Sequence, residues 1–474
     1  MDVVVIGGGP AGVSAALHAT ELGAQVTLIE RERVGGTAYN SGPAPVRTLA
    51  RAARLVRDWS SWETFGLRGP RPVVDHAAVL ANAARVSDYA YERKRIGEHI
   101  RSLGVDLVEQ TGDAWFVDPH TITVADGRRW TADRVIIAVG GRAGRLPIPG
   151  AELGLTIEDA GSITALPDRV CVIGAADTGC QLASILADLG CEVTLIEYAP
   201  RILARADVDV STALERAFRG RGITIVTGAA VEELEALKSG TRVRYRVGDG
   251  LCAVDVDSAF FAVGWPSNCD RVKAVAAGVV TERGYVVVDE CTATNVAHIF
   301  AAGDVDGNSM LVSSASLEGR VAAENAVLGT RRRLDHEIVP TGSFTNPEYG
   351  SVGLTEEQAR ARFNCTVAMV RYEDMLRPVA DGQPDGFCKL IVDTDRRHIL
   401  GAHVFGEYSA EVIQMVATCM ATAMRIEDVA DLQFAFPTFT EGISQAAHMA
   451  VNQLGVRPLP QLWSDLSATR SILE

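Results

Sequence analysis

Apolar and polar positions along the chain fall into two regimes. Through roughly residue 330, short aliphatic runs such as VVVI, VTLI and VCVI alternate with longer stretches in which apolar residues recur every three or four positions. The first pattern predicts buried strands and the second crossover helices, the alternation expected of parallel sheets covered by helices. From Val339 onward the stretches GFCKLIVD and HILGAHVF read as strands and precede a long apolar helix, EVIQMVATCMATAM. That order predicts an antiparallel sheet packed with helices.

Two of the aliphatic runs carry the same chemistry in the same frame. VVVIGGGPAG contains Gly7, Gly9 and Gly12, and the next predicted strand, VTLIE, closes on Glu30. VCVIGAADTG contains Gly174, Ala176 and Gly179, and a second VTLIE closes on Glu197, at the same distance from its last glycine. Such a turn brings backbone close to a pyrophosphate at a helix N-terminus, and the acid accepts a ribose hydroxyl. Glycine turns alone are common; two in register, each with its acid, predict two bound dinucleotides. The fold class expected is α/β, with two Rossmann-like dinucleotide-binding domains and an α+β C-terminal domain. ADRVIIAVGG leaves the first domain near Gly150 and HIFAAGDVDG returns to it near Gly303. The division expected is 1–150 with 266–335, then 151–265, then 336–474.

Composition narrows the setting. A chain of 474 residues is too long for one core. Its net charge of −15 argues against nucleic acid or an anionic membrane as partner. The chain opens on a core strand at Asp2, and no apolar run reaches the roughly 20 residues a membrane helix needs, so a cytoplasmic protein without a secretory signal is expected. The nine cysteines are unclustered and lack a CxxC pair, as in reduced proteins. No metal-ligand spacing is present among the nine histidines.

The segments GGTAYNSG, GDAWFVDPHTITV, IAVGG, FAAGDV, LVSSASLEGRVAAEN and FTNPEYGSVGLTEEQA resemble those of the flavoprotein disulfide reductases, a family that includes dihydrolipoamide dehydrogenase, glutathione reductase and soluble transhydrogenase. The resemblance covers nearly the whole chain. It implies FAD on the first fingerprint, with Asp304 bonding the ribityl chain and Ala315 near the flavin ring, and NAD(P)H on the second. It also adds Gly36, Thr37, Ala114, Gly140 and Gly264 to the cofactor-binding set, and makes the C-terminal domain a homodimerisation domain whose active site takes residues from both subunits.

The thiol chemistry of that family does not carry over. Its redox-active cysteines fall on Ala38 and Pro43, and the last cysteine of the chain is Cys419, so neither a disulfide relay nor a C-terminal substitute is expected. The family's His-Pro-Thr base falls on Phe436 in FAFPTFTE, and phenylalanine moves no proton. Glu441, which would orient that base, remains. The flavin-side Lys–Glu pair becomes Arg47 and Gln181, a lone cation beside a neutral amide, which either clamps an acceptor or reduced flavin or lies outward as a structural group. Tyr39 either donates a hydrogen bond into the vacated space or belongs to the core. Cys180, His403 and His448 read as structural.

These substitutions leave the cofactor motifs intact, and predict an FAD-dependent oxidoreductase passing hydride from NAD(P)H to a small non-disulfide organic acceptor: a quinone, or an unsaturated or imine intermediate. Glu197 opposes the 2′-phosphate of NADP and predicts a preference for NADH, which Arg201 softens. Soluble transhydrogenase, which likewise lacks a complete cysteine pair, is the second enzymatic reading. An NADH- and FAD-binding scaffold is the third.

Overall fold

The computed structural model describes residues 1–162, 165–334 and 336–456. Residues 457–474, the end of the third expected segment, lie outside the described residues.

Aliphatic runs form the strands that the pattern predicts. Asp2–Ile6 lies at the centre of a five-stranded parallel sheet, between Gln25–Ile29 on one side and Arg134–Ile137 on the other. Asp106–Val108 closes one edge and Ile299–Ala301 the other, so the chain returns to its first sheet after a long excursion. That excursion contains a four-stranded parallel sheet ordered Thr224–Val226, Glu192–Ile196, Arg169–Ile173, Ser258–Phe261. Each sheet is accompanied by a three-stranded antiparallel meander. Val3, Val5 and Leu28 pack on one face of the first sheet against the Pro10–Glu21 and Val312–Leu328 helices, and Val4, Ile6 and Ile29 fill its other face. Burial on both faces explains why these strands are continuously apolar and not alternating.

The C-terminal region is the expected antiparallel sheet with helices. Its strands run Thr341–Gly342, Tyr349–Gly353, Ile399–Phe405, Phe387–Asp393, Cys365–Arg371. The Ser409–Ala421 and Glu441–Leu454 helices cover it with Val412, Ile413, Val416, Ile443 and Ala447.

An ionic cluster joins this sheet to the second dinucleotide-binding unit. Lys389 is fully buried, and its Nζ bonds Asp207 at 2.9 Å, Asp209 at 2.6 Å and Glu356 at 2.7 Å. Asp207 also caps the Val208–Gly220 helix by accepting the Asp209 N–H at 3.1 Å, and it accepts the Glu356 N–H at 3.0 Å. Burial works against the ammonium, yet its bonds to the three carboxylates hold its pKa above the usual value. Neutralising Lys389 leaves Asp207 buried without a counter-charge, a loss of about 3–5 kcal/mol. Lys389→Met is therefore expected to lower the denaturant midpoint sharply, and adding Asp207→Asn to recover part of the loss. A single variant that melts with the parent would show the cluster to be energetically idle.

Candidate functional site

The two fingerprints build matching cradles. In the first, Gly12 stands in the first turn of the Pro10–Glu21 helix, directly over the Gly7 carbonyl, and any Cβ there would overlap that oxygen. Gly179 stands over the Gly174 carbonyl in the same way. Only glycine lets helix and strand approach so closely, which directs the free N–H groups of the helix start into the space beyond the strand.

The acids are set by the same device in both units. Glu30 accepts the Gly8 N–H at 2.6 Å and the Glu32 N–H at 2.8 Å. Glu197 accepts the Ala175 N–H at 2.6 Å and the Ala199 N–H at 2.7 Å. Each carboxylate is fixed by two backbone donors and keeps lone pairs for ribose hydroxyls. Burial raises the pKa of Glu30 while the two backbone bonds pull it down.

Both cradles open into one cleft of about 2040 Å³. Gly7, Gly9, Glu30, Gly36, Thr37 and Ala114 line it from the first fingerprint and its neighbours. Gly140, Asp304 and Ala315 line it where the chain crosses out of and back into the first unit, and Gly174, Ala176, Gln181, Glu197 and Gly264 line it from the second. Gly12 and Gly179 stand behind the cradles. Asp304 is placed by its neighbour: the fully buried Glu318 accepts the Gly303 N–H at 2.6 Å and holds the turn. Burial, with Asp306 and Asp304 nearby, pushes the Glu318 carboxyl up to about 8.

The vacated thiol positions face this space. Ala38 and Pro43 both line the cleft, and none of the nine cysteines does. Cys180 is buried with its Sγ on the Ala175 carbonyl, and burial pushes its pKa well above that of a free thiol. His403 sits between Ser351 and the Leu354 carbonyl at 3.0 Å each, and His448 bonds the Ser444 carbonyl at 2.8 Å. Phe436 is 69% exposed on its own chain. Among the described residues no group of His, Cys, Asp or Glu is arranged to hold a metal, and no helix is long and apolar enough to cross a membrane.

Three sequence expectations need correction. Arg47 is not a lone cation: its NH1 lies 3.3 Å from Glu348 Oε1, and its guanidinium stacks 4.8 Å from the Phe344 ring. It lines the second cleft and not the cofactor cleft, which Gln181 lines. Glu348, 301 positions away in sequence, is its carboxylate partner, a pairing that local sequence cannot reveal. Tyr39 also stays out of the cleft: its ring lies beside Gly35, and its carbonyl accepts the Ser87 hydroxyl. Arg201 donates to the Ala204 and Ala206 carbonyls at 2.8 and 3.0 Å and so braces its own loop. Arg205, which the sequence reading passed over, lines the same cleft as Glu197 and makes no hydrogen bond or ion pair among the described residues.

Two dinucleotide cradles facing one cleft, backed by an antiparallel domain, define an oxidoreductase that joins a flavin to a nicotinamide. The chain belongs to the pyridine nucleotide-disulphide oxidoreductase family, whose model matches residues 1–319, while the family's dimerisation domain matches residues 339–447. It is 31% identical over 450 residues to a mercuric reductase of Lysinibacillus sphaericus, covering 94% of this chain and 82% of the relative. It is 31% identical over 458 residues to a dihydrolipoyl dehydrogenase of Zymomonas mobilis, covering 94% and 97%. Among solved structures, LpdA from Mycobacterium tuberculosis superposes with a TM-score of 0.86 at 25% identity, over 95% of this chain and 99% of that one. The HOCl-induced flavoprotein disulfide reductase RclA from Escherichia coli gives 0.83 at 25% identity, over 95% and 100%. The family binds FAD and NAD(P)H, and the paired cradles fit both; the dimerisation domain supports a homodimer.

The duplicated packing makes the two sites separable. Gly12→Ala is expected to abolish FAD retention, giving a colourless protein. Gly179→Ala is expected to remain yellow but to bind NADH at least about tenfold more weakly, as measured by calorimetry. Loss of flavin from the Gly179 variant alone would contradict the assignment of the two cradles.

Proposed function

We propose that the protein is an FAD-dependent NAD(P)H oxidoreductase, with NADH preferred, whose acceptor is a small organic molecule and not a disulfide. One observation carries this reading: the two positions where the family holds its redox thiols are Ala38 and Pro43, and no cysteine reaches the cleft. A disulfide acceptor needs a thiolate to attack it and an acid to protonate the leaving sulfur. Ala38, Pro43 and Phe436 supply neither. When bound, FAD supplies the hydride chemistry between the nicotinamide and the acceptor. The chain's own residues bind and orient. Gly7, Gly9, Glu30 and Asp304 would hold FAD; Gly174, Ala176 and Glu197 would hold the nicotinamide dinucleotide. Small side chains at Ala38 and Pro43 leave room for a planar acceptor such as a quinone or an unsaturated or imine compound.

Glu197 carries the donor preference. Both of its oxygens are fixed by backbone N–H groups, so the carboxylate cannot swing away from a 2′-phosphate, and a dianion beside it is disfavoured. Arg205 in the same cleft is the single observation in favour of NADPH use, and so of a transhydrogenase. Stopped-flow reduction is expected to be at least about tenfold more efficient with NADH, and Glu197→Gln to narrow the gap. The NADH-reduced enzyme is expected to be reoxidised by a quinone such as menadione and not by lipoamide or glutathione disulfide. Turnover of either disulfide at an ordinary enzymatic rate, about 1 to 1000 per second, would refute the reading; equal or better reduction by NADPH would revive the transhydrogenase.

A further inference from the structure

The Pro43–Asp58 helix separates two clefts. Pro43, Val46 and Leu49 face the cofactor cleft, whereas Ala44, Arg47, Arg51 and Arg54 line a second cleft of about 520 Å³. Its other walls are Asn82 and Val86, the Ser184–Asp188 stretch of the next unit, and the turn from Phe344 to Glu348. Phe344 and Ile185 line both clefts, so the two adjoin at these residues.

Charge is unevenly distributed along this second cleft. At its inner end the cations are matched: Arg54 pairs with Glu407 and lies 3.8 Å from Glu348, while Arg57 lies 3.4 Å from Asp188 and 3.6 Å from Glu407. Asp188 is shared with Arg221 as well. At the outer end the match fails. Arg47 commits one guanidinium nitrogen to Glu348 and lays its plane over Phe344, and the exposed Arg51 makes no hydrogen bond or ion pair among the described residues. Burial pushes the Glu348 carboxyl up, against the pull of Arg47 and Arg54. The result is a cationic recess on a chain whose net charge is −15.

We propose that this recess is the subsite for an oxyanion, a carboxylate or phosphate, on the tail of the acceptor, with Arg51 as its principal ligand and Arg47 beside it. The inference rests on the reading above, in which the acceptor's reducible head occupies the cleft beside Ala38 and Pro43. Arg47 and Arg51 lie one and two turns beyond Pro43, about 6 and 12 Å along the helix at 1.5 Å per residue. The acceptor is thus an amphiphile: a flat head joined through a short chain to an anion. A guanidinium with its donors free binds such a group bidentately, and Phe344 lines both the head's cleft and the tail's.

The test uses two matched pairs of probes: naphthoquinones carrying a pentyl or a carboxypentyl chain, and the redox-inert naphthalenes with the same chains. Calorimetry on the FAD-loaded, oxidised protein gives the affinities of the naphthalenes. The carboxylated member is expected to bind about tenfold or more tightly, with a preference that falls as ionic strength rises. Arg51→Ala and Arg51→Gln are expected to abolish the preference while leaving the Kd of the pentyl compound in place, and Arg51→Lys to restore part of it. Equal affinities in the parent protein, or a preference that survives Arg51→Ala, would overturn the proposal. The naphthoquinones separate this outcome from failure of the functional reading. If neither reoxidises the reduced enzyme, the quinone assignment falls, while the naphthalenes still report whether an anion subsite exists.

Discussion

The structure depends on one steric constraint used twice: a helix that starts with its glycine in van der Waals contact with the carbonyl at the end of the preceding strand. Gly12 over Gly7 and Gly179 over Gly174 bring helix starts so close to their sheets that backbone N–H groups become the lining of a cavity. The two fingerprint acids of the cofactor cleft are referred to that backbone. Glu30 and Glu197 are each held by one N–H from the glycine turn and one from the residue two beyond the acid, so strand, turn and acid move as one body. A cavity built in this way tolerates change at its far wall, because its geometry does not rest on the residues there.

The Pro43–Asp58 helix is where that freedom was used. It starts at the cofactor cleft with Pro43, packs Val46, Leu49, Ala50 and Ala53 against the second unit, and turns an arginine face to the C-terminal domain. Here its inner face is inert and its outer face is cationic, and the carboxylates that answer it, Glu348 and Glu407, come from the turn and strand end of another domain. In the proposed function the start of this helix carries no reactive group, and recognition of the acceptor lies one to two helical turns along.

Much of this was legible in the sequence. The continuous aliphatic runs identified the parallel strands because both faces of those sheets are covered, and the fingerprints identified the cradles because glycine is the residue that fits. The loss of thiols and of the imidazole was equally plain, since a side chain that is absent needs no geometry to interpret. What remained hidden was pairing across long sequence distance. Arg47 read as unpaired because its partner was sought at Gln181, whereas the carboxylate is Glu348. The arginines at 47, 51 and 54 stood in the sequence at helical spacing, yet which of them is matched depends on the packing of three units. Lys389 read as one more strand residue, and only the fold brings it to Asp207.

The central claim is that the electrons of NADH have no sulfur to go to, and counting electrons tests it most directly. In an anaerobic titration of the FAD-loaded protein, flavin alone takes up two electrons, and a disulfide in the same cleft would take up two more. The account predicts that the flavin band is fully bleached by one equivalent of NADH per FAD and that no further equivalent is consumed. Uptake of a second equivalent, with two more thiols titrating after denaturation than in the unreduced protein, would place a redox-active disulfide in the protein and contradict it.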